Sequence, residues 1–166
     1  MSVSRYCGAP DVMNATYSSG TFSFATNVVG SATCYIDGPI AHANKFDANN
    51  TQNRLFPTGK NGKYLPISIA STGGVELMVE AFDSNSGTVN PTNASNLSAA
   101  RWKVTRVGSL GGFTGYNVRL GSLTSPVTAS SVIVQSATEN GTYDIVSTPT
   151  SAITYDAAHF SLPNLP

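Results

Sequence analysis

The sequence predicts an all-β domain, built as an antiparallel β-sandwich or a jelly-roll-like barrel of about eight strands with long polar loops. Of the 166 residues, 53 are Ser, Thr or Asn and only 18 are charged. The apolar residues fall in short runs that are rich in β-branched side chains and bounded by Gly, Pro, Asn or Ser, a pattern typical of strands. Apolar residues at helical spacing are nearly absent.

Eight segments carry the strand signal. In chain order they are Thr21–Val29, Ser31–Asp37, Tyr64–Ala70, Val75–Phe82, Arg101–Val107, Tyr116–Leu120, Ser131–Thr138 and Thr142–Ser147. Alternation in the fifth segment places Trp102 and Val104 on one face, which predicts that Trp102 anchors the core. Alternation in the fourth places Glu76 and Glu80 on its more exposed face, about 13 Å apart, too far for one catalytic pair.

Asn-Gly and Gly-Gly pairs mark the predicted tight turns. They occur at Asn61-Gly62, Gly73-Gly74 and Asn140-Gly141. The last pair stands between two apolar runs and predicts a hairpin with a primed two-residue turn. Hairpins of this kind imply antiparallel pairing.

Two long polar stretches, Gly38–Lys63 and Asp83–Ala100, are predicted to be display loops, because loops of this length are uncommon in compact domains unless they are functional or disordered. Their amides and hydroxyls suit hydrogen bonding to a glycan or a protein. The candidate ligand-binding or receptor-binding residues are Asn49, Asn50, Gln52, Asn53 and Arg54 in the first stretch and Asp83, Asn85, Asn90 and Asn93 in the second.

The chain reads as one domain. Residues 1–12 are expected to form a linker or N-terminal segment, residues 13–160 a single β-sandwich domain, and residues 161–166 a C-terminal tail. The tail contains Pro163 and Pro166, which cannot donate to a central ladder. A chain of this length can bury enough apolar surface to form one stable core.

The two cysteines, Cys7 and Cys34, permit two interpretations. A disulfide between them would tie the N-terminal segment to an early strand and stabilise the fold by about 2–4 kcal/mol. Alternatively they are two unpaired thiols, one of them buried as a small apolar side chain. The spacing of the two cysteines favours neither interpretation.

Composition argues against several function classes. The nine basic and nine acidic residues cancel, so we expect no nucleic-acid partner, and no apolar stretch is long enough for membrane insertion. His42 and His159 lack any supporting motif, so we expect neither an enzyme nor a cofactor. No metal site is predicted; a loose calcium site at Asp83 or Asp47 competes with simple Asx turns there.

Over the whole chain, composition and strand spacing resemble those of protruding domains of capsid proteins from small non-enveloped RNA viruses of the nodavirus, tetravirus and bee-infecting Sinai type. The resemblance rests on no motif, so it assigns no site residue. It implies a β-rich spike module on the virion surface, outside the cell. Such a module forms homo-oligomers with other capsid subunits and binds a host cell-surface glycan or protein receptor.

The main alternative is a carbohydrate-binding or adhesin-like β-sandwich module of bacterial or phage origin. That module would bind sugars on a platform of exposed Tyr and Trp side chains. A hydrolase is a third class, and it would require convergent carboxylates or a His beside a nucleophile. Nothing in the sequence demands such a site.

Overall fold

The computed structural model describes residues 4–7, 15–18, 21–24, 30–42, 54–72, 76–90, 97–107, 115–120, 133–145 and 157–161. These residues form short strands and no helix. The strands are β1 (Ser4–Cys7), β2 (Ala15–Ser18), β3 (Thr21–Phe24), β4 (Cys34–Asp37), β5 (Ile40–His42), β6 (Arg54–Phe56), β7 (Thr58–Lys60), β8 (Lys63–Tyr64), β9 (Ile67–Thr72), β10 (Glu76–Phe82), β11 (Thr88–Val89), β12 (Arg101–Val107), β13 (Gly115–Leu120), β14 (Val134–Ser136), β15 (Thr142–Ile145) and β16 (Ala157–Ser161). The all-β prediction is confirmed.

The described strands are arranged in three open sheets. One has the order β1-β4-β7-β8, a second β13-β9-β6, and the largest β11-β15-β14-β16-β12-β10-β5-β3-β2. Most neighbours are antiparallel, as the hairpins predict. Three pairs are parallel, namely β3 with β5, β4 with β7, and β11 with β15.

All eight predicted strands overlap observed ones, and Arg101–Val107 has the predicted bounds. The described residues nevertheless contain sixteen strands, about twice the predicted number. The additional strands are two to five residues long and include segments such as Thr58–Lys60, which has no β-branched run. Their pairing comes from neighbours distant in sequence, and local propensity does not report such neighbours.

The buried apolar side chains come from all three sheets, for example Ile36, Ile69 and Val79. β10 and β12 pair over seven residues, and Val79 and Trp102 are both 0% exposed. The indole Nε1 of Trp102 donates a hydrogen bond to the carbonyl oxygen of Leu65 at 2.8 Å. The prediction that Trp102 anchors the core is confirmed.

Glu80 is more buried than its position on the more exposed face of β10 predicts. It is only 8% exposed, because β7 packs against β10 without pairing to it. Burial raises the pKa of the Glu80 carboxyl. Three cations, Lys60, Lys103 and Arg101, oppose this rise, and the Asp37 carboxylate adds to it.

The two ends of the domain contain strands that the sequence does not predict. Ser4–Cys7 forms β1, which pairs with β4 and places Cys7 opposite Cys34, so this part of residues 1–12 is not an unpaired linker. Cys34 is disulfide-bonded, which leaves Cys7, the chain's only other cysteine, as its partner. Ala157–Ser161 forms β16, between β12 and β14. The rest of the predicted tail, residues 162–166, lies outside the described residues.

Asn61 and Gly62 form the predicted tight turn between β7 and β8. Lys60 pairs with Lys63 across it, and Asn61 and Gly62 have φ values of 51° and 80°. Positive φ at both central residues is the requirement of a type I′ turn. The predicted Gly73-Gly74 turn lies outside the described residues.

The hairpin predicted around Asn140-Gly141 is present, but its turn differs from the prediction. β14 pairs with β15 as expected, yet neither Asn140 nor Gly141 has a positive φ. The Gly141 N–H instead donates to the carbonyl oxygen of Thr138 at 3.3 Å. Gly141 is therefore the last residue of an ordinary β-turn inside a longer loop.

The two predicted display loops are largely ordered where the structure describes them. Gly38–Lys63 contains β5, β6 and β7 and the first residue of β8. Asp83–Ala100 contains β11. Among the described residues, no helix is long and apolar enough to cross a membrane.

Candidate functional site

The predicted residues of the first stretch do not form a described site. Asn49, Asn50, Gln52 and Asn53 lie outside the described residues, as does Asn93 of the second stretch. Arg54 is in β6 and is 7% exposed. Its expected position on an exposed loop is therefore wrong.

Asp83 and Asn85, from the second stretch, make contacts within the fold. Lys63 Nζ lies 2.8 Å and 2.9 Å from the two carboxylate oxygens of Asp83, whose side chain is 15% exposed. Asn85 Oδ1 accepts a hydrogen bond from the Gly87 N–H at 3.0 Å, which forms an Asx turn. Ligand binding by Asp83 and Asn85 remains a prediction.

Asn90 lies where the second stretch is attached to the β14–β15 hairpin. The Thr88 N–H donates to the Gly141 carbonyl oxygen, and the Asn90 N–H donates to the Tyr143 carbonyl oxygen, both at 3.0 Å. Asn90 Nδ2 also donates to Asp144 Oδ1 at 2.8 Å. β11 is thereby held as the edge strand of the largest sheet.

A buried arginine joins the same two segments from beneath. The side chain of Arg101 is 1% exposed, and its Nη2 lies 2.8 Å from Glu139 Oε1, whose side chain is 52% exposed. Its Nε donates to the Ser84 carbonyl oxygen at 3.2 Å. Its guanidinium carbon lies 4.0 Å from the centre of the Phe82 ring. Arg101 thus links the hairpin to the second stretch through charge and hydrogen bonding, and its contact with the Phe82 ring joins it to β10 as well.

Tyr143 occupies the space between the two segments. It is 0% exposed, and its hydroxyl donates to the Glu139 carbonyl oxygen at 3.2 Å. Burial raises the pKa of Tyr143 to about 12; the Arg101 cation opposes that rise and the Glu139 carboxylate adds to it. The raised pKa keeps the hydroxyl protonated, and able to donate, further into the alkaline range than an ordinary tyrosine.

Gly87 allows the close approach of the second stretch to Tyr143. A Cβ at position 87 would lie 2.3 Å from Tyr143 Cε2 and 2.8 Å from the Gly141 carbonyl oxygen. Any larger residue would therefore push the second stretch away from the hairpin.

These contacts between the second stretch and the hairpin hold a polar surface in place. We call the exposed polar residues contributed by 84–90 and 138–144 the display surface. They are Ser84, Ser86, Thr88, Thr138, Glu139, Asn140, Thr142 and Asp144, with Asn90 half-buried among them. Sequence reasoning found only Asn90 of this set. The alternation of Thr142 and Asp144 about the buried Tyr143 was a signal that could have added two more.

The described residues do not bring together three His, Cys, Asp or Glu side chains that could hold a metal ion. Calcium at Asp83 would have to displace the Lys63 ammonium from both carboxylate oxygens. Asp47, the other calcium candidate, lies outside the described residues.

No protein-family model matches this chain, and no curated protein and no solved structure matches it.

Proposed function

We propose that the chain is a protruding domain of a non-enveloped virus capsid, exposed on the virion surface, which attaches to a host receptor and associates with copies of itself. The observation that carries the attachment proposal is the display surface. Its hydroxyls, amides and carboxylates are exposed, while the backbone beneath is held by hydrogen bonds and by the ion pair that Glu139 forms with the buried Arg101. A preorganised surface loses less conformational entropy when it binds.

We also propose that the sheets pack as an antiparallel β-sandwich, the first of the two architectures that the sequence predicts. The support is that β7, from the four-stranded sheet, packs against β10 of the largest sheet although the two strands are not paired. Contact between strands of different sheets is what a sandwich requires.

Attachment is favoured over catalysis by the positions of the titratable groups with shifted pKa values. Catalytic acids and bases often have perturbed pKa values, but they must also reach a substrate. Of the three described groups with raised pKa values, Glu80 is 8% exposed and Tyr143 is 0% exposed, while Tyr64 is half-buried beside Tyr35. Their shifts arise from burial within the fold.

An aromatic sugar platform, as in the alternative adhesin, is not supported by the side chains that the structure describes. The only tryptophan is 0% exposed, as is Tyr143, and Tyr35 is 2% exposed. Ile145 is the one large apolar side chain that is exposed among the described residues. We therefore favour a polar mode of attachment.

The test is binding of the fluorescently labelled chain to a panel of insect cell lines, with sedimentation velocity for self-association. We expect saturable binding that excess unlabelled chain competes away, and a sedimentation coefficient that rises with concentration. Absence of competable binding on every line would contradict attachment. A monomer at all concentrations would contradict self-association.

A further inference from the structure

The exposed face of the β11–β15 ladder carries four polar side chains in two rows. Thr88 lies opposite Thr142 in the parallel register. Asn90 and Asp144 each follow by two residues, so they share that face, and they are hydrogen-bonded to each other at 2.8 Å. We call Thr88, Asn90, Thr142 and Asp144 the polar grid.

The polar grid has the size and the hydrogen-bonding groups to bind a single sugar ring. Neighbouring strands are about 4.8 Å apart and same-face residues about 6.6 Å apart along a strand, dimensions comparable with one pyranose ring. Threonine hydroxyls donate and accept, whereas the carboxylate of Asp144 only accepts. Asn90 Nδ2 occupies one side of Asp144 Oδ1 and so fixes the orientation of this carboxylate.

The charge around the polar grid distinguishes neutral sugars from acidic ones. Residues 120–166 contain no Lys or Arg, and neither do residues 83–100. The cations joined to this region, Lys63 and Arg101, are paired with Asp83 and Glu139. Asp144 is thus an exposed carboxylate without a compensating cation in either segment, and it would repel a carboxylate or sulfate on a ligand.

The grid offers no aromatic face, because Tyr143, which lies between Thr142 and Asp144, is buried on the other side of the strand. Sugar binding without ring stacking is weak at each site. Several clustered copies would raise the overall avidity by orders of magnitude without any new contact.

From this arrangement we propose that the polar grid binds a neutral saccharide through adjacent ring hydroxyls, weakly in each copy, and discriminates against sialylated and sulfated glycans. The inference rests on the attachment function proposed above and names its receptor class. Asp144 accepts hydrogen bonds from two ligand hydroxyls, and Thr88, Thr142 and Asn90 bind the neighbouring ones.

Two experiments test the proposal. Saturation-transfer NMR of the whole chain is recorded with lactose, methyl α-mannopyranoside and 3′-sialyllactose, and antibody-clustered chain is applied to an array of neutral, sialylated and sulfated glycans. We expect neutral glycans to bind and their acidic derivatives to bind less. Asp144→Asn and Thr142→Val should each weaken binding by about fivefold, the effect of one lost hydrogen bond. Thr33→Val, an exposed threonine in the turn before β4, is the matched control and should change nothing.

Three results would overturn the proposal. One is a preference for sialylated or sulfated glycans, and another is neutral-glycan binding that Asp144→Asn and Thr142→Val leave unchanged. The third is cell binding without binding to any neutral glycan on the array, which would indicate a protein receptor and leave the attachment function standing. Absence of competable cell binding would instead remove the attachment function itself.

Discussion

Arg101 and Glu139 form an ion pair of 2.8 Å in which the cation is buried, at 1% exposure, and the anion is 52% exposed. An exposed turn therefore supplies the counter-charge for a side chain in the core. Replacing the carboxylate would remove one charge partner of that buried cation.

We accordingly expect Glu139→Gln to lower the free energy of unfolding by about 1–3 kcal/mol, measured by urea denaturation. Asp144→Asn is the matched control, since Asp144 is an exposed carboxylate on the same hairpin that makes no ion pair in the described region. It should change stability by less than about 0.5 kcal/mol. If the two substitutions lowered the free energy of unfolding equally, the ion pair with Arg101 would not contribute measurably to stability.

Gly87→Ala tests the seating of the second polar stretch on Tyr143. The added Cβ would lie 2.3 Å from the ring, so the stretch must shift, at a cost of about 1–3 kcal/mol. Ser86→Ala, at the exposed neighbouring position, should be nearly neutral. Thermal unfolding of both variants decides the matter, and an unshifted melting temperature for Gly87→Ala would mean that the stretch is not seated as described.

The disulfide of Cys34 predicts sensitivity to reductant. Closing the loop between positions 7 and 34 restricts the unfolded chain and should contribute about 2–4 kcal/mol. Dithiothreitol should lower the melting temperature of the wild-type chain, and it should not affect the Cys7→Ala/Cys34→Ala variant. A wild-type melting temperature that reductant leaves unchanged would argue against the bond.

Glu80 predicts a pH dependence of stability. Burial raises its folded-state pKa above the unfolded value, so the folded chain binds this proton more tightly. Its contribution is fully present below the unfolded pKa and is lost as the pH rises through the folded pKa. Glu80→Gln does not titrate, so its stability relative to wild type should rise between pH 4 and pH 7. Parallel stability curves for the two proteins would contradict this.

The strands with the strongest patterns could be predicted because their signals are local. Arg101–Val107 alternates and is bounded clearly, and Asn61-Gly62 is nearly sufficient for its turn. β16 could not be predicted in this way, since Ala157–Ser161 has no alternating β-branched residues. Its strand state depends on β12 and β14, which flank it.

The candidate site depends still more on distant neighbours. Lys63 pairs with Asp83 from 20 positions away, and Asn90 bonds Asp144 from 54 positions away. Composition could indicate a polar surface on loops, but not that the hairpin would order one of those loops. The burial of Glu80 could likewise not be predicted from the sequence of β10 alone, since it is β7 that packs against β10 and covers this side chain.

The central claim is that the display surface attaches the protein to cells, and charge substitution at its centre tests this most directly. We compare the cell-binding curves of the labelled wild-type chain, Thr142→Lys and Thr33→Lys. Thermal unfolding first establishes that the three proteins are equally stable. We predict that Thr142→Lys lowers cell affinity by at least about tenfold, since a lysine there obstructs the polar grid, and that Thr33→Lys binds as wild type does. Indistinguishable binding of Thr142→Lys and wild type would contradict the account.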